Sequence, residues 1–239
     1  MVLLKCDLHV HTNASRDGES PVEEVIAAAR AAGLDAVAIT DHDTTEGALY
    51  ALGQDNPDIL IIPGIEVSTK QGHLLVLGTT KVFPPKEDVL KTIACAKAEG
   101  GVTIVPHPFH RWRHGVGLRC KEALKAADAI EAFNSRYIIG TANQRAVKQA
   151  KKYHKPLTAG SDAHNCKFVG FGVTEIECSE RSVDAILAAI REGHIRSMCR
   201  KTPLRTYTRQ SWNNTVRKVR RRVPVFRHRP RRRIFHRKK

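Results

Sequence analysis

Short apolar runs alternate with helix-like stretches through the first 199 residues, the pattern of successive β/α units. The runs "VLLKC", "DAVAIT", "DILIIPG", "HLLVLG", "GVTIVP", "DAIEAF" and "PLTAG" read as seven buried strands, with "VTEIE" as a possible eighth. Such runs lack the polar alternation of a half-exposed strand, so both faces of each are expected to be covered, as in a parallel sheet wrapped by helices. Between them the spacing predicts a first helix after Ser20. Ser20 stands as N-cap, Pro21 at the first helical position and Glu23 in the capping-box place, with Gly33 as terminator. Further helices are predicted over 86–99, 117–127, 139–153 and 180–193. Seven or eight units in this length favour an α/β fold closed as a compact (β/α) barrel over a doubly wound sheet.

Beyond Arg200 the pattern stops. Residues 200–239 hold 17 of the 40 Lys and Arg residues and no Asp or Glu, which leaves 23 basic against 24 acidic residues in 1–199. The whole formal charge of +16 therefore belongs to an Arg/Lys-rich C-terminal tail, 200–239, set apart from a nearly neutral domain, 1–199. "RKVRRR" and "RPRRR" would gather affinity for a polyanion by counterion release, and Trp212, Phe226 and Phe235 could stack on bases. RNA or another nucleic acid is the expected partner of the tail, an anionic membrane surface the competitor. A solvated extension is the plain alternative.

With 41% hydrophobic and 27% charged residues the composition is that of a soluble globular protein. No apolar stretch approaches the roughly 18 residues of a membrane span, and "MVLLKCD" meets an acid before a signal core could form. A cytoplasmic protein is expected. The cysteines (Cys6, Cys95, Cys120, Cys166, Cys178 and Cys199) form no C-x-x-C pair and read as reduced thiols.

The chemistry lies where the apolar runs end. "VLLKC" leads into Asp7, His9 and His11; "DAVAIT" into Asp41 and His42; "DILIIPGI" into Glu66; "GVTIVP" into His107; "DAIEAF" into Asn134; and "PLTAGS" into Asp162 and His164. In a parallel barrel all strand carboxyl ends open on one face, so these groups converge. Imidazoles and carboxylates without a nearby thiolate suit Zn²⁺, Mn²⁺ or Fe²⁺. Alternate residues of a strand share a side, so His9 and His11 can hold one ion together. Glu66 could bridge two ions and so place a nucleophilic hydroxide between them.

In that order, "DLHVHTNAS", "ITDHDT", "PGIEVS", "PHPF", "IEAFN" and "GSDAH" resemble the motifs of the PHP family, the polymerase and histidinol phosphatase domain, over about residues 4–175. The resemblance implies a distorted seven-stranded (β/α) barrel with two or three divalent ions (Mn, Fe or Zn) that hydrolyse phosphate esters. By motif it implies His9, His11, Glu66 and Asp162 at a first metal, Glu66 and His107 at a second, and Asp17, His42 and His164 at a third. Asp41 matches a partner that orients its neighbours, and His73 a family histidine just after the glutamate motif. Small stand-alone phosphoesterases acting on nucleotides share the "DG" of Asp17-Gly18 and the "E-x-F-N" of Glu131 to Asn134. There, the positions of Ser68 and Asn134 belong to the substrate side. The segment from His73 to His107 is too short for the inserted subdomain of larger relatives, and Asp17 replaces the histidine of some.

Each residue also has a plainer reading. Asp17 sits in "RDGES", ordinary turn chemistry; His73 could simply open a strand; Asn134 could cap a turn. His110 and His114, with Arg111, Arg113 and Arg119, form a basic loop that could face a phosphate, Arg111 and Arg113 first. The function expected is a metal-dependent phosphoesterase acting on a phosphorylated small molecule or nucleotide. A PHP-type nuclease acting on RNA or single-stranded DNA is the alternative, and a nucleic-acid-binding protein with a structural metal site stands further off.

Overall fold

The computed structural model describes residues 1–137 and 141–199; the basic tail expected to bind nucleic acid lies outside the described residues. The eight apolar runs are all strands. They are β1 (Val2–Val10), β2 (Ala36–Ile39), β3 (Leu60–Ser68), β4 (His73–Leu77), β5 (Val102–Val105), β6 (Ala129–Asn134), β7 (Leu157–Gly160) and β8 (Gly172–Cys178). A ninth, β9 (Ile195–Cys199), follows the last helix, so the described residues form nine strands rather than the seven expected. Among the described residues six α-helices flank them: α1 (Val22–Ala31), α2 (Glu46–Leu52), α3 (Val89–Ala98), α4 (Lys121–Ala126), α5 (Ala142–Lys152) and α6 (Val183–Glu192).

The strands form one sheet in the order β7-β6-β5-β4-β3-β2-β1-β8-β9. β1, β2 and β3 are mutually parallel, as are β5, β6 and β7, but β4 runs antiparallel to both of its neighbours, and β8 and β9 are antiparallel additions beyond β1. The sheet is therefore mixed rather than all parallel. It curls until β7 meets β1: the Asp162 amide donates to His9 O at 2.8 Å and the His11 amide to Ala163 O at 2.8 Å. Thr174 of β8 helps close the seam, its hydroxyl accepting from Ala159 N at 2.8 Å and donating to Ala159 O at 2.9 Å. The result is an almost closed barrel.

One end of that barrel is plugged. Ile186, Leu187 and Ile190 of α6 pack with Leu4, Cys6, Ile62, Val102, Ile104 and Ile176 inside the sheet, each large side chain worth roughly 1.5–3 kcal/mol of burial. Ser182 caps α6 by accepting from Ala185 N at 3.1 Å. Arg181 holds Asp58 O at 2.7 Å and Arg191 holds Gly100 O, carbonyls that lie just ahead of β3 and β5. α6 thus closes the amino-terminal end of the parallel strands and leaves their carboxyl ends open. Of the expected caps, Ser20 does not cap α1: that helix has no side-chain cap, and the Ser20 hydroxyl instead accepts from Cys166 N at 3.1 Å. No helix among the described residues is long and apolar enough to cross a membrane.

Candidate metal centre

His9 and His11 emerge from the end of β1 with both rings buried. His9 Nδ1 lies 3.0 Å from Glu131 Oε1, and His11 Nδ1 lies 3.3 Å from the Ser15 hydroxyl. That hydroxyl donates its own proton to Asp41 Oδ1 at 2.6 Å, so toward His11 it accepts. Both rings consequently carry a proton on Nδ1 and turn the lone pair of Nε2 inward, where the two Nε2 atoms face each other at 3.1 Å. Two lone pairs so close in a buried site repel unless a positive charge, a proton or a metal cation, lies between them.

Glu66, in β3, is the hub of the remaining donors. His9 Nε2 and His11 Nε2 lie 3.4 and 3.2 Å from its Oε2, with His42 Nδ1 at 3.3 Å. His73 Nδ1 and His107 Nε2 lie 3.1 and 3.2 Å from its Oε1. Burial alone would raise the Glu66 pKa, but these imidazoles hold it well below the usual carboxylate range. Asp162 Oδ1 lies 3.9, 3.8 and 3.3 Å from His9 Nε2, His11 Nε2 and His164 Nδ1. Asp17 Oδ2 lies 3.3 Å from His164 Nε2 and 3.7 Å from His42 Nε2.

All eight expected ligands thus meet, as four overlapping groups whose donor atoms lie within 4.8 Å of one another plus Asp17 beside them. One of the groups is His42, Glu66 and His73. His73 reaches the cluster because β4 is antiparallel: its first residue, paired with Ser68, falls at the same barrel end as the carboxyl ends of its neighbours.

Burial lowers the imidazole pKa of His42 to about 4 and, with Arg136 and His11 adding to it, that of His164 to about 3. Both rings are neutral near pH 7 and free to ligate. For His9 burial also pushes down, but the carboxylates of Glu66, Asp162 and Glu131 together hold it well above the ordinary value. Asp17 Oδ1 and His42 Nδ1, both buried, have no hydrogen-bond partner among the described residues. Orphaned donors, facing lone pairs and a purely N/O set fit divalent transition metals.

The backbone is shaped to serve this cluster. His107 and Asp162 adopt φ of 32° and 51°, a region costly for non-glycine residues that persists where surroundings impose it. Here the His107 amide is fixed by Glu131 Oε2 at 2.7 Å and the Asp162 amide by His9 O. A shift in register between Glu131 and Phe133 of β6 lets Glu131 and Asn134 serve one side together. Two glycines allow close approach: a Cβ on Gly160 would lie 2.3 Å from Glu131 Oε1, and one on Gly18 would lie 1.6 Å from Thr12 O.

The other expected residues surround the donors. Asp41 is buried and accepts from Thr12 N at 2.7 Å, the Thr12 hydroxyl at 2.7 Å and Ser15 N at 3.2 Å, which fixes the loop after β1. Asn134 Nδ2 donates to Glu131 Oε2 at 3.0 Å and Asp162 Oδ2 at 3.1 Å, so its carboxamide is bound up in the support of the site. The Arg113 guanidinium pairs with Asp162, Arg111 is exposed, and the Ser68 amide donates to Asp43 Oδ1 at 2.7 Å. Sequence reasoning missed three supporting groups. Glu131 was detectable as one acid inside an apolar strand. Ser15 and Arg136 carried no such mark, although Arg136 Nη1, buried, donates to Asp162 Oδ1 at 3.0 Å and lies 2.8 Å from His164 Nδ1.

An α/β barrel with a buried histidine–carboxylate cluster at its open end defines the class of metal-dependent barrel hydrolases. The chain belongs to the PHP domain family: the family model matches residues 7–160, and a PHP-associated model matches 140–195. It is accordingly a hydrolase of phosphoesters. The phosphoribosyl 1,2-cyclic phosphate 1,2-diphosphodiesterase of Eggerthella lenta is 37% identical over 86 residues, 33% of this chain and 32% of that one. Among solved structures, a two-domain protein from Bacteroides vulgatus with a predicted PHP-like metal-dependent phosphoesterase aligns with TM-score 0.72 and 19% identity, covering 89% of this chain and 70% of that one. The lesion-specific endonuclease Q of Pyrococcus furiosus aligns with TM-score 0.61 and 17% identity, covering 82% and 58%. At such identities the two structures speak to the fold alone.

Proposed function

We propose that the protein cleaves a nucleotide-type phosphate ester in the cytoplasm, using two or three divalent ions of Mn, Fe or Zn held in the cluster. The observation that carries this reading is the pair of inward-facing Nε2 atoms of His9 and His11, 3.1 Å apart with both Nδ1 atoms already committed. His9, His11, Glu66 and Asp162 would hold one ion, Glu66, His73 and His107 a second, and Asp17, His42 and His164 a third. Such ions supply Lewis acidity toward a phosphoryl group and a water nucleophile usable near neutral pH.

The chain's own residues do the positioning. Glu131 orients His9, Asp41 orients His11 through Ser15, and Arg136 with Asn134 steadies Asp162. Arg113 and Arg111 supply positive charge for the substrate phosphate, and Ser68 lies beside His73 on the substrate side. A second reading, a nuclease of the same chemistry acting on RNA or single-stranded DNA, is supported by one observation, the 17 Lys and Arg residues of 200–239.

The test is hydrolysis by metal-reconstituted protein of p-nitrophenyl phosphate, mononucleotides, nucleoside 3′,5′-bisphosphates and labelled single-stranded RNA. His9→Ala and Asp162→Ala should each lower kcat by at least about 100-fold while the variants stay folded, the scale expected when a transition-state contact is removed. Near-normal rates in either variant, with metal content unchanged, would exclude this site.

A further inference from the structure

Trp112 lies in water on a loop whose next residue, Arg113, pairs with Asp162 of the donor cluster. Its side chain is 86% exposed, and among the large hydrophobic residues described only Met1 is more so. The backbone that carries it is held firmly: the His110 amide donates to His107 O at 3.0 Å, the Gly115 amide to His110 O at 3.2 Å, and the His73 amide to His114 O at 3.2 Å. The His114 ring lies 5.3 Å from that of His73, and Arg113, next in sequence to Trp112, pairs with Asp162. The loop that carries this exposed indole is thus tied by its backbone and by Arg113 to the donor cluster.

The charge around it selects a ligand. Residues 107–120 hold Arg111, Arg113 and Arg119 and no Asp or Glu. An apolar protein partner would have to bury guanidinium groups to reach Trp112. A nucleobase would not, because it stacks on indole while its phosphate meets the arginines. Trp112 and Arg113 start from Cα atoms about 3.8 Å apart, a separation that one nucleotide spans.

We propose that Trp112 stacks the base of a nucleobase-bearing phosphoester whose phosphate lies beside Arg113 at the edge of the donor cluster. For its reacting group this inference rests on the phosphoesterase reading above, and it adds to that reading what selects the substrate. Trp112 acts on affinity for the base and takes no part in the chemical step.

The experiment compares full-length wild type, Trp112→Ala and Trp112→Phe, each metal-reconstituted, on AMP and on ribose 5-phosphate. With stacking on the order of 1–3 kcal/mol per base, Trp112→Ala should raise KM for AMP on the order of tenfold more than KM for ribose 5-phosphate, with Trp112→Phe recovering most of the loss. Equal effects on the two substrates would overturn the proposal. A second readout needs no turnover. The chain has two tryptophans, so Trp212→Phe leaves Trp112 as the only reporter, and AMP should quench its fluorescence where ribose 5-phosphate does not. Absence of quenching by both AMP and a 5′-phosphorylated tetraadenylate would overturn it as well; whichever of the two quenches at lower concentration tells a free nucleotide from a nucleic-acid end. If the wild type hydrolyses neither small ester, the proposed small nucleotide-type substrate fails alone, and the quenching still decides for Trp112.

Discussion

Glu131 links three parts of the site at once, reaching His9 Nδ1, the His107 amide and the Asn134 carboxamide. It fixes the tautomer that turns His9 Nε2 inward, and carboxylates in that position commonly govern metal affinity by about 10–100-fold. Glu131→Ala should therefore weaken metal binding by about that factor in a chelator competition, while Glu131→Gln, which can still bond, should lose less. Equal affinity in all three proteins would reduce Glu131 to a space-filling role. The histidines and carboxylates that meet in the cluster were legible in the sequence because they stand directly after apolar runs. Their supporters were harder to find: a serine four residues after His11, or an arginine two after Asn134, looks like any loop residue until the fold brings it against a ligand. His73 was ambiguous because its placement depends on the direction of β4, which a hydrophobic run does not encode.

At the scale of elements, periodicity found eight of the nine strands but not their directions. The connection from Ser68 to His73 spans only residues 69–72, too short for a parallel crossover, and this was the available sign that β4 turns back. β9 escaped notice because "IRSMC" carries a charge and runs straight into the basic stretch. α2 was missed for its shortness. The elements are tied together partly by single polar residues, of which Asp128 is an instance: it accepts from Thr103 N at 2.8 Å and from the Thr103 hydroxyl at 2.7 Å, and pairs with Lys97 of α3 at 2.8 Å. Burial would raise its carboxyl pKa, but these partners outweigh it and hold the group below the ordinary 3.8. A carboxyl lowered on folding stabilises above its unfolded pKa and loses that contribution as pH falls. Asp128→Asn should cost about 1–2 kcal/mol at pH 7, and markedly less at pH 3, in denaturant unfolding. A difference that stays constant between the two pH values would contradict this assignment.

The whole molecule divides by charge into a nearly neutral barrel and a tail with 17 Lys and Arg residues and no acid. Nothing in the catalytic proposal needs that tail, whereas the nuclease reading draws its support from it. Deleting 200–239 should leave hydrolysis of a small phosphate ester within about twofold of the full chain, and should flatten the salt dependence of RNA retention, whose slope follows the number of phosphate contacts. An unaltered slope would assign retention to the barrel instead.

Everything claimed for the barrel depends on a cation between His9 and His11. The most direct measurement is elemental analysis of the full chain purified without chelator and, in parallel, reconstituted with Mn²⁺, Fe²⁺ or Zn²⁺, set beside His9→Ala treated identically. The account predicts more than one equivalent of metal per wild-type chain and a clear loss in the variant. Less than one equivalent after reconstitution with each of the three metals, or equal content in the two proteins, would contradict it.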